Sequence, residues 1–217
     1  MLRVFMVLQL IFIGVIACQA PYSIEPEMAQ RQLQKAWELN QHAVWEIDWP
    51  NAPVGGTVVV EYWQFDNQYR FEILEATSAR LVGEILISNG NSTWRYNRFK
   101  FDMAVQTLEL TDFGHMDKPT RQLSPVTDLF SMIGRLLRRS TTLSAQQQLT
   151  STLSGSSKKI ELLFADQTRL VFWLDLETNL PLQVKLITGY ETILIKAQSD
   201  KPLIHPLYGL FSRPDTY

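Results

Sequence analysis

The run TVVVEYWQFDNQYRFEILEA, residues 57–76, sets the architecture of this chain. In its second half Tyr69, Phe71 and Ile73 alternate with Arg70 and Glu72, the period of two that lines one face of a half-buried strand. Asp66-Asn67 separates Thr57–Phe65 from Gln68–Ala76, and these two turn-forming residues between apolar runs read as a tight hairpin. The stretch therefore implies an antiparallel sheet with one buried and one solvated face.

The same grammar extends outward in both directions. Val44–Trp49 ends at the breaker Pro50-Asn51, and Leu81–Ser88 is joined to Ser92–Asn97 through Asn89-Gly90-Asn91, the strongest short hairpin signal in the chain. Five further strand patterns follow, over Ser144–Leu153, Lys159–Ala165, Thr168–Asp175, Leu182–Thr188 and Glu191–Ala197. Two helices interrupt them. Ala29, Leu33, Ala36 and Trp37 recur at helical spacing between Ser23, read as the cap, and Asn40. Ser124 caps the second, Pro125 opens it, Leu129, Ile133, Leu136 and Leu137 share one face, and Arg135, Arg138 and Arg139 suit the negative end of its dipole.

An antiparallel sheet of this size tends to curl, and two helices cover only one of its faces. The expected class is α+β: a curved antiparallel half-barrel sheet of roughly ten strands with two helices on the concave face. Arg70, Glu72, Gln183 and Lys185 are expected to point outward, and Phe71, Ile73, Val184 and Leu186 toward the helices. The enclosed space is either filled by side chains or open to an apolar guest.

The N-terminus carries a second signal. Arg3 precedes an apolar run from Val4 to Ala17, broken only by Gln9 and Gly14, and the run ends at the only cysteine of 217 residues, Cys18. It is short for a spanning helix, which needs about 20 apolar residues, and fits a secretory h-region. Val15-Ile16-Ala17-Cys18 reads as a bacterial lipobox, with cleavage before Cys18 and diacylation of its thiol; an ordinary leader with a chance cysteine is the plainer alternative. A lone thiol forms no intramolecular disulfide, so use as a lipid attachment point accounts for its singularity. The expected layout is a lipoprotein signal peptide over 1–17, a lipidated tether over 18–22 and one half-barrel domain over 23–217. Gln19 after the cysteine resembles an outer-membrane destination in a two-membrane cell. The expected location is the bacterial cell envelope, exported and lipid-anchored. Losing Arg3 with the leader takes the formal net charge from −2 to −3, which speaks against nucleic acid as a partner.

The order helix, antiparallel meander, helix, meander, together with Asn89-Gly90-Asn91-Ser92-Thr93-Trp94-Arg95-Tyr96-Asn97 and the late turn Asp175-Leu176-Glu177-Thr178-Asn179-Leu180-Pro181-Leu182, resembles the lipoprotein-carrier domains of the LolA, LolB and LppX type. The resemblance implies a half-barrel plugged by helices that holds lipids or lipoprotein acyl chains, with regulatory relatives that bind proteins. The ligand-facing candidates come from the pattern of residues: Tyr62, Phe71, Ile73, Trp94, Tyr96, Val184 and Leu186 on the concave face, and Ile133 and Leu137 on the second helix. Most residues at these spacings are simply core, since apolar stripes of this kind serve chiefly to bury sheet against helix. The expected partners are a lipid or acyl chain, the membrane through Cys18, and another envelope protein.

No enzyme signature stands out. His42, His115 and His205 are far apart and form no zinc-ligand spacing, and no nucleophile elbow or phosphate loop is present. His115-Met116-Asp117 pairs a base with a carboxylate but reads more simply as a solvated loop before Lys118-Pro119. The expectation is a non-catalytic protein without metal or cofactor.

Overall fold

The computed structural model describes residues 20–51, 56–91, 93–97, 125–152, 155–203, 205 and 209–212. Its elements are β1 (Tyr22–Ile24), α1 (Pro26–Trp37), β2 (Gln41–Trp49), β3 (Gly56–Phe65), β4 (Gln68–Ala76), β5 (Glu84–Ser88), β6 (Thr93–Asn97), α2 (Pro125–Arg139), β7 (Thr142–Thr152), β8 (Gly155–Phe164), β9 (Arg169–Asp175), β10 (Pro181–Ile187) and β11 (Thr192–Pro202). The strands form one antiparallel sheet in the order β1-β7-β8-β9-β10-β11-β2-β3-β4-β5-β6, an open half-barrel with both helices against its concave face.

Eleven strands are described where ten were expected, and the addition explains a misplaced helix start. Ser23, read as a helix cap, is instead the middle of β1 and pairs with Gln146 of β7. Pro26 forces the change, because the residue before a proline is pushed out of helical geometry, and Glu25 accordingly takes φ −60° and ψ 123°. The helix then starts on the proline, whose missing N–H costs nothing in the first turn. It stops at Trp37, three residues short of Asn40. Ser124 lies outside the described residues, while Pro125 opens α2 as expected.

The turns follow their chemistry. Asp66 adopts φ 53° in the two-residue β3–β4 connection, and the Asn40 carboxamide braces it by accepting from the Asp66 N–H at 2.6 Å. Asn179 takes φ 57° at the β9–β10 turn, where the Asp175 Oδ1 accepts from the N–H groups of Glu177 (3.0 Å) and Thr178 (2.7 Å) and from the Thr178 hydroxyl (2.9 Å). Gly90 has φ 89°, where a side chain is strained, and a Cβ there would also run into the Asn67 carboxamide.

The main core lies between sheet and helices. Ala29, Leu33 and Ala36 of α1 and Val126, Leu129, Phe130, Ile133 and Leu137 of α2 join the inward rows of the sheet, including Phe71, Ile73, Val184 and Leu186 as the alternation expects. The outward rows depart from expectation at one corner. Trp63, Ile85 and Ile87 form a second cluster on the convex face, covered by Leu203, Leu210 and Phe211. The tail beyond Pro202, without pattern in the sequence, thus contributes Phe211, only 5% exposed, as a cover. Beside it Arg70 and Glu72, expected in solvent, are largely buried and paired at 3.2 Å.

Candidate functional site

The site is built from two helices and one hairpin. A cleft of about 520 Å³ opens between the end of α1 (Trp37, Glu38), one side of α2 (Thr127, Phe130, Ser131, Gly134, Arg138) and the β3–β4 hairpin (Tyr62, Gln64 and Asp66–Tyr69, with Phe71). Its floor is aromatic. The Phe130 ring centroid lies 4.8 Å from Phe71, 5.3 Å from Trp37 and 5.5 Å from Tyr62, and Tyr62 and Phe71 are 4.6 Å apart. Tilted and edge-on rings at these spacings favour one another beyond the area they bury.

The rim is polar. Arg138 donates to Glu38 at 3.1 Å across the two helices, and both side chains are about half exposed, so the pair closes the mouth loosely. Inside, the Tyr62 hydroxyl donates to Gln64 Oε1. Burial, with a smaller contribution from neighbouring Tyr69, raises the Tyr62 pKa far above that of a free phenol, so it stays a neutral donor. Gly134 keeps the α2 wall low, since a Cβ at this position would meet the Arg138 guanidinium at 3.1 Å.

One polar latch fixes the angle between the helices. The Gln30 amide donates to the carbonyls of Leu137 (2.9 Å) and Ser140 (3.0 Å), with a longer contact to Leu136 (3.4 Å), and its Oε1 accepts from the Thr142 hydroxyl at 2.6 Å. A helix C-terminus leaves its last carbonyls without intrahelical donors, and Gln30 supplies them from the neighbouring helix. No sequence signal marked this residue, because its partners lie more than a hundred positions away.

The structure divides the sequence candidates into three groups. Tyr62 and Phe71 line the cleft. Ile73, Ile133, Leu137, Val184 and Leu186 lie behind it in the core, none more than 3% exposed. The side chains of Trp94 and Tyr96 lie outside the described residues; the backbone register of β6 pairs these two positions with Ile87 and Ile85, whereas Tyr62 and Phe71 share a transverse row with Leu86. All five residues of β5 are buried, so no alternation marks its inward row.

Sequence reading also missed Phe130, which stands between Leu129 and Ser131 in an α2 face already assigned to core, and Trp37 as a cleft wall. Trp45 is fully buried, and its indole N–H has no hydrogen-bond partner among the described residues. Trp49 donates to Glu191 Oε2 at 2.7 Å. His42 stacks flat on Trp63 at 4.9 Å and meets Glu61 at 2.8 Å, on the convex side and away from the cleft. Among the described residues no group of three or more His, Cys, Asp or Glu is placed to hold a metal ion, and no helix is long and apolar enough to cross a membrane. Cys18 and His115 lie outside the described residues.

No protein-family model and no curated protein sequence matches the chain. Solved structures do. An uncharacterized conserved protein from Thermus thermophilus superposes with a TM-score of 0.51 at 11% identity, over 87% of this chain and 93% of that one. MucB superposes with a TM-score of 0.50 at 12% identity, over 87% of this chain, which spans 62% of MucB. The Mycobacterium tuberculosis lipoprotein LppX, one of the group the sequence resembles, matches at 0.45 and 10% identity over 80% of this chain and 94% of its own. At these identities the likeness is one of fold: the chain shares its helix-covered antiparallel half-barrel with the Thermus protein and MucB.

Proposed function

We propose that this chain is an exported lipoprotein, anchored through Cys18, that binds a lipid or lipoprotein acyl chain in the cleft between α1, α2 and the β3–β4 hairpin. The observation that carries this reading is the aromatic floor of Trp37, Tyr62, Phe71 and Phe130 beneath a polar rim. Its volume falls in the range of about 300–1,000 Å³ usual for small-molecule sites, and apolar walls with a few polar groups are the common make-up of such sites. Water leaving these rings drives binding, and the Glu38–Arg138 pair holds the headgroup side. Ile73, Ile133, Leu137, Val184 and Leu186 form a deeper compartment that a long chain reaches only when α2 moves off the sheet. No step here needs catalysis.

The test is native mass spectrometry on a soluble form starting at Gln19, purified gently, beside the variant Ser131→Trp. Ser131 is half-buried on the cleft wall, so tryptophan fills the cleft without entering the core. A co-purifying lipid in the parent that is lost in the folded variant supports the site. Equal occupancy in both sinks it. The close packing of Ile133, 0% exposed, and of its neighbours favours a second reading, a scaffold with a self-filled core that binds another envelope protein. An empty protein that also refuses added lipids would point there.

A further inference from the structure

The charges around the aromatic cleft bear on which end of a guest it takes. Among the described residues that line it, Glu38 and Asp66 are acidic and Arg138 is the one cation, so the lining carries a surplus of one negative charge. That cation is already engaged. Glu38 reaches it from the end of α1, and its Oε1 accepts from Arg138 Nη1 at 3.1 Å and from the Gln34 carboxamide at 3.3 Å. The guanidinium that a carboxylate or phosphate would seek is therefore neutralised by the protein itself. Asp66 stands on the hairpin side, where Asn40 holds it by accepting from its N–H at 2.6 Å and donating to its Oδ1 at 3.5 Å.

Apart from this rim, the polar groups of the cleft are uncharged. Gln64 on β3 and Thr127 and Ser131 on α2 line it from its two walls, and the Tyr62 hydroxyl donates to Gln64 Oε1. Hydroxyls and a carboxamide each donate and accept, which suits an ester, an amide or a hydroxyl. A carboxylate finds no uncommitted charged donor among these residues, and taking an unpaired charge out of water is costly. From this we infer that the cleft selects an acyl chain whose polar end is uncharged over a free fatty acid, and that Glu38 sets the preference by holding Arg138. The inference rests on the acyl-binding reading of the cleft and adds which end the guest carries; it is independent of how the chain is anchored.

The experiment is titration calorimetry at neutral pH on the form starting at Gln19, which keeps every described element. Three probes share one lauroyl chain and are used below their aggregation thresholds: 1-lauroylglycerol, an N-lauroyl peptide amide without charged side chains, and laurate. The tighter of the two uncharged probes is expected to bind at least about fivefold more tightly than laurate, the effect of about one partly exposed charge. Which of the two it is tells whether the uncharged end belongs to a glyceride or to an acylated protein. Glu38→Gln releases the guanidinium, and the ratio should fall to within about twofold. Adding Arg138→Gln to that variant should restore it, because the carboxylate again lacks a cation. Asp66→Asn, a side chain suited to the φ of 53° at this turn, should lower the ratio part of the way and serves as the second variant should Glu38→Gln fail to fold. Laurate binding as tightly as the uncharged probes in the parent overturns the selectivity and leaves the acyl site standing. A ratio that stays the same in all the folded variants overturns the role of the rim charges. If no probe binds, the acyl site falls and the inference falls with it.

Discussion

Replacing Gln30 by alanine removes the latch between α1 and α2 and leaves every apolar contact of the core in place. Three well-formed hydrogen bonds are lost, to Leu137 O at 2.9 Å, to Ser140 O at 3.0 Å and from the Thr142 hydroxyl at 2.6 Å. At about 1 kcal/mol net for each, the upper figure is about 3 kcal/mol. The site is half-buried, so water re-solvates part of the freed carbonyls, and about 2 kcal/mol is the expected loss. For a chain of this length that lowers Tm by about 4–8 °C. The measurement is thermal unfolding followed by circular dichroism, with urea unfolding to confirm an unchanged m value. Gln30→Glu should be worse at neutral pH, because a carboxylate would then face the α2 carbonyl oxygens. If the cleft takes lipid through movement of α2, uptake of a fluorescent fatty acid should be faster in Gln30→Ala. A Tm within about 1 °C of the parent, with unchanged uptake, would refute the assignment of Gln30 as the element that holds the helices together.

Four other substitutions follow from the geometry. Gly134→Ala should raise stability by about 0.5 kcal/mol, since the helix interior gains from losing glycine and the obstructing Arg138 guanidinium is the free end of a half-exposed side chain; a urea midpoint below that of the parent would show that Arg138 cannot yield. Gly90→Ala combines an unfavourable φ of 89° with a clash against the Asn67 carboxamide and should cost about 1–3 kcal/mol, read as a lower midpoint with an unchanged m value. The two acidic groups near the β9–β10 turn should act in opposite directions. The N–H of Thr178, its hydroxyl and the N–H of Glu177 hold the Asp175 pKa below the ordinary aspartate value against a smaller opposing effect of burial, so its stabilising contribution is present above about pH 4 and fades as pH falls through the folded value. Burial, then the Asp175 carboxylate, raises that of Asp200, whose charge therefore disfavours the fold at neutral pH and is relieved on acidification. Asp175→Asn should accordingly destabilise at pH 7 and flatten the acid limb of the stability profile. Asp200→Asn should stabilise at pH 7, with the gain gone by about pH 3; the same sign for both variants would contradict the stated causes.

The strands, the turns and the fold class were legible in the amino-acid sequence because they rest on local physics. Alternation in 68–76, the turn chemistry of Asp66-Asn67 and Asn89-Gly90-Asn91, and the proline at the head of α2 each act within a few residues, and the structure has a turn or boundary at each. The inward placement of Phe71, Ile73, Val184 and Leu186 was legible for the same reason. The remainder depended on packing. That the first helix cannot begin before Pro26 is local chemistry, but that Ser23 joins a strand depends on β7, more than a hundred residues away. Which residues of β5 stand opposite positions 94 and 96 depends on how β6 registers against a strand buried on both sides. Phe130 became the centre of an aromatic floor only when α2 was laid against the β3–β4 hairpin, and Phe211 became a cover only when the tail met Trp63, Ile85 and Ile87. Local preferences fix what each segment becomes; burial between segments remote in sequence fixes which residues meet, and the cleft exists only at that second level.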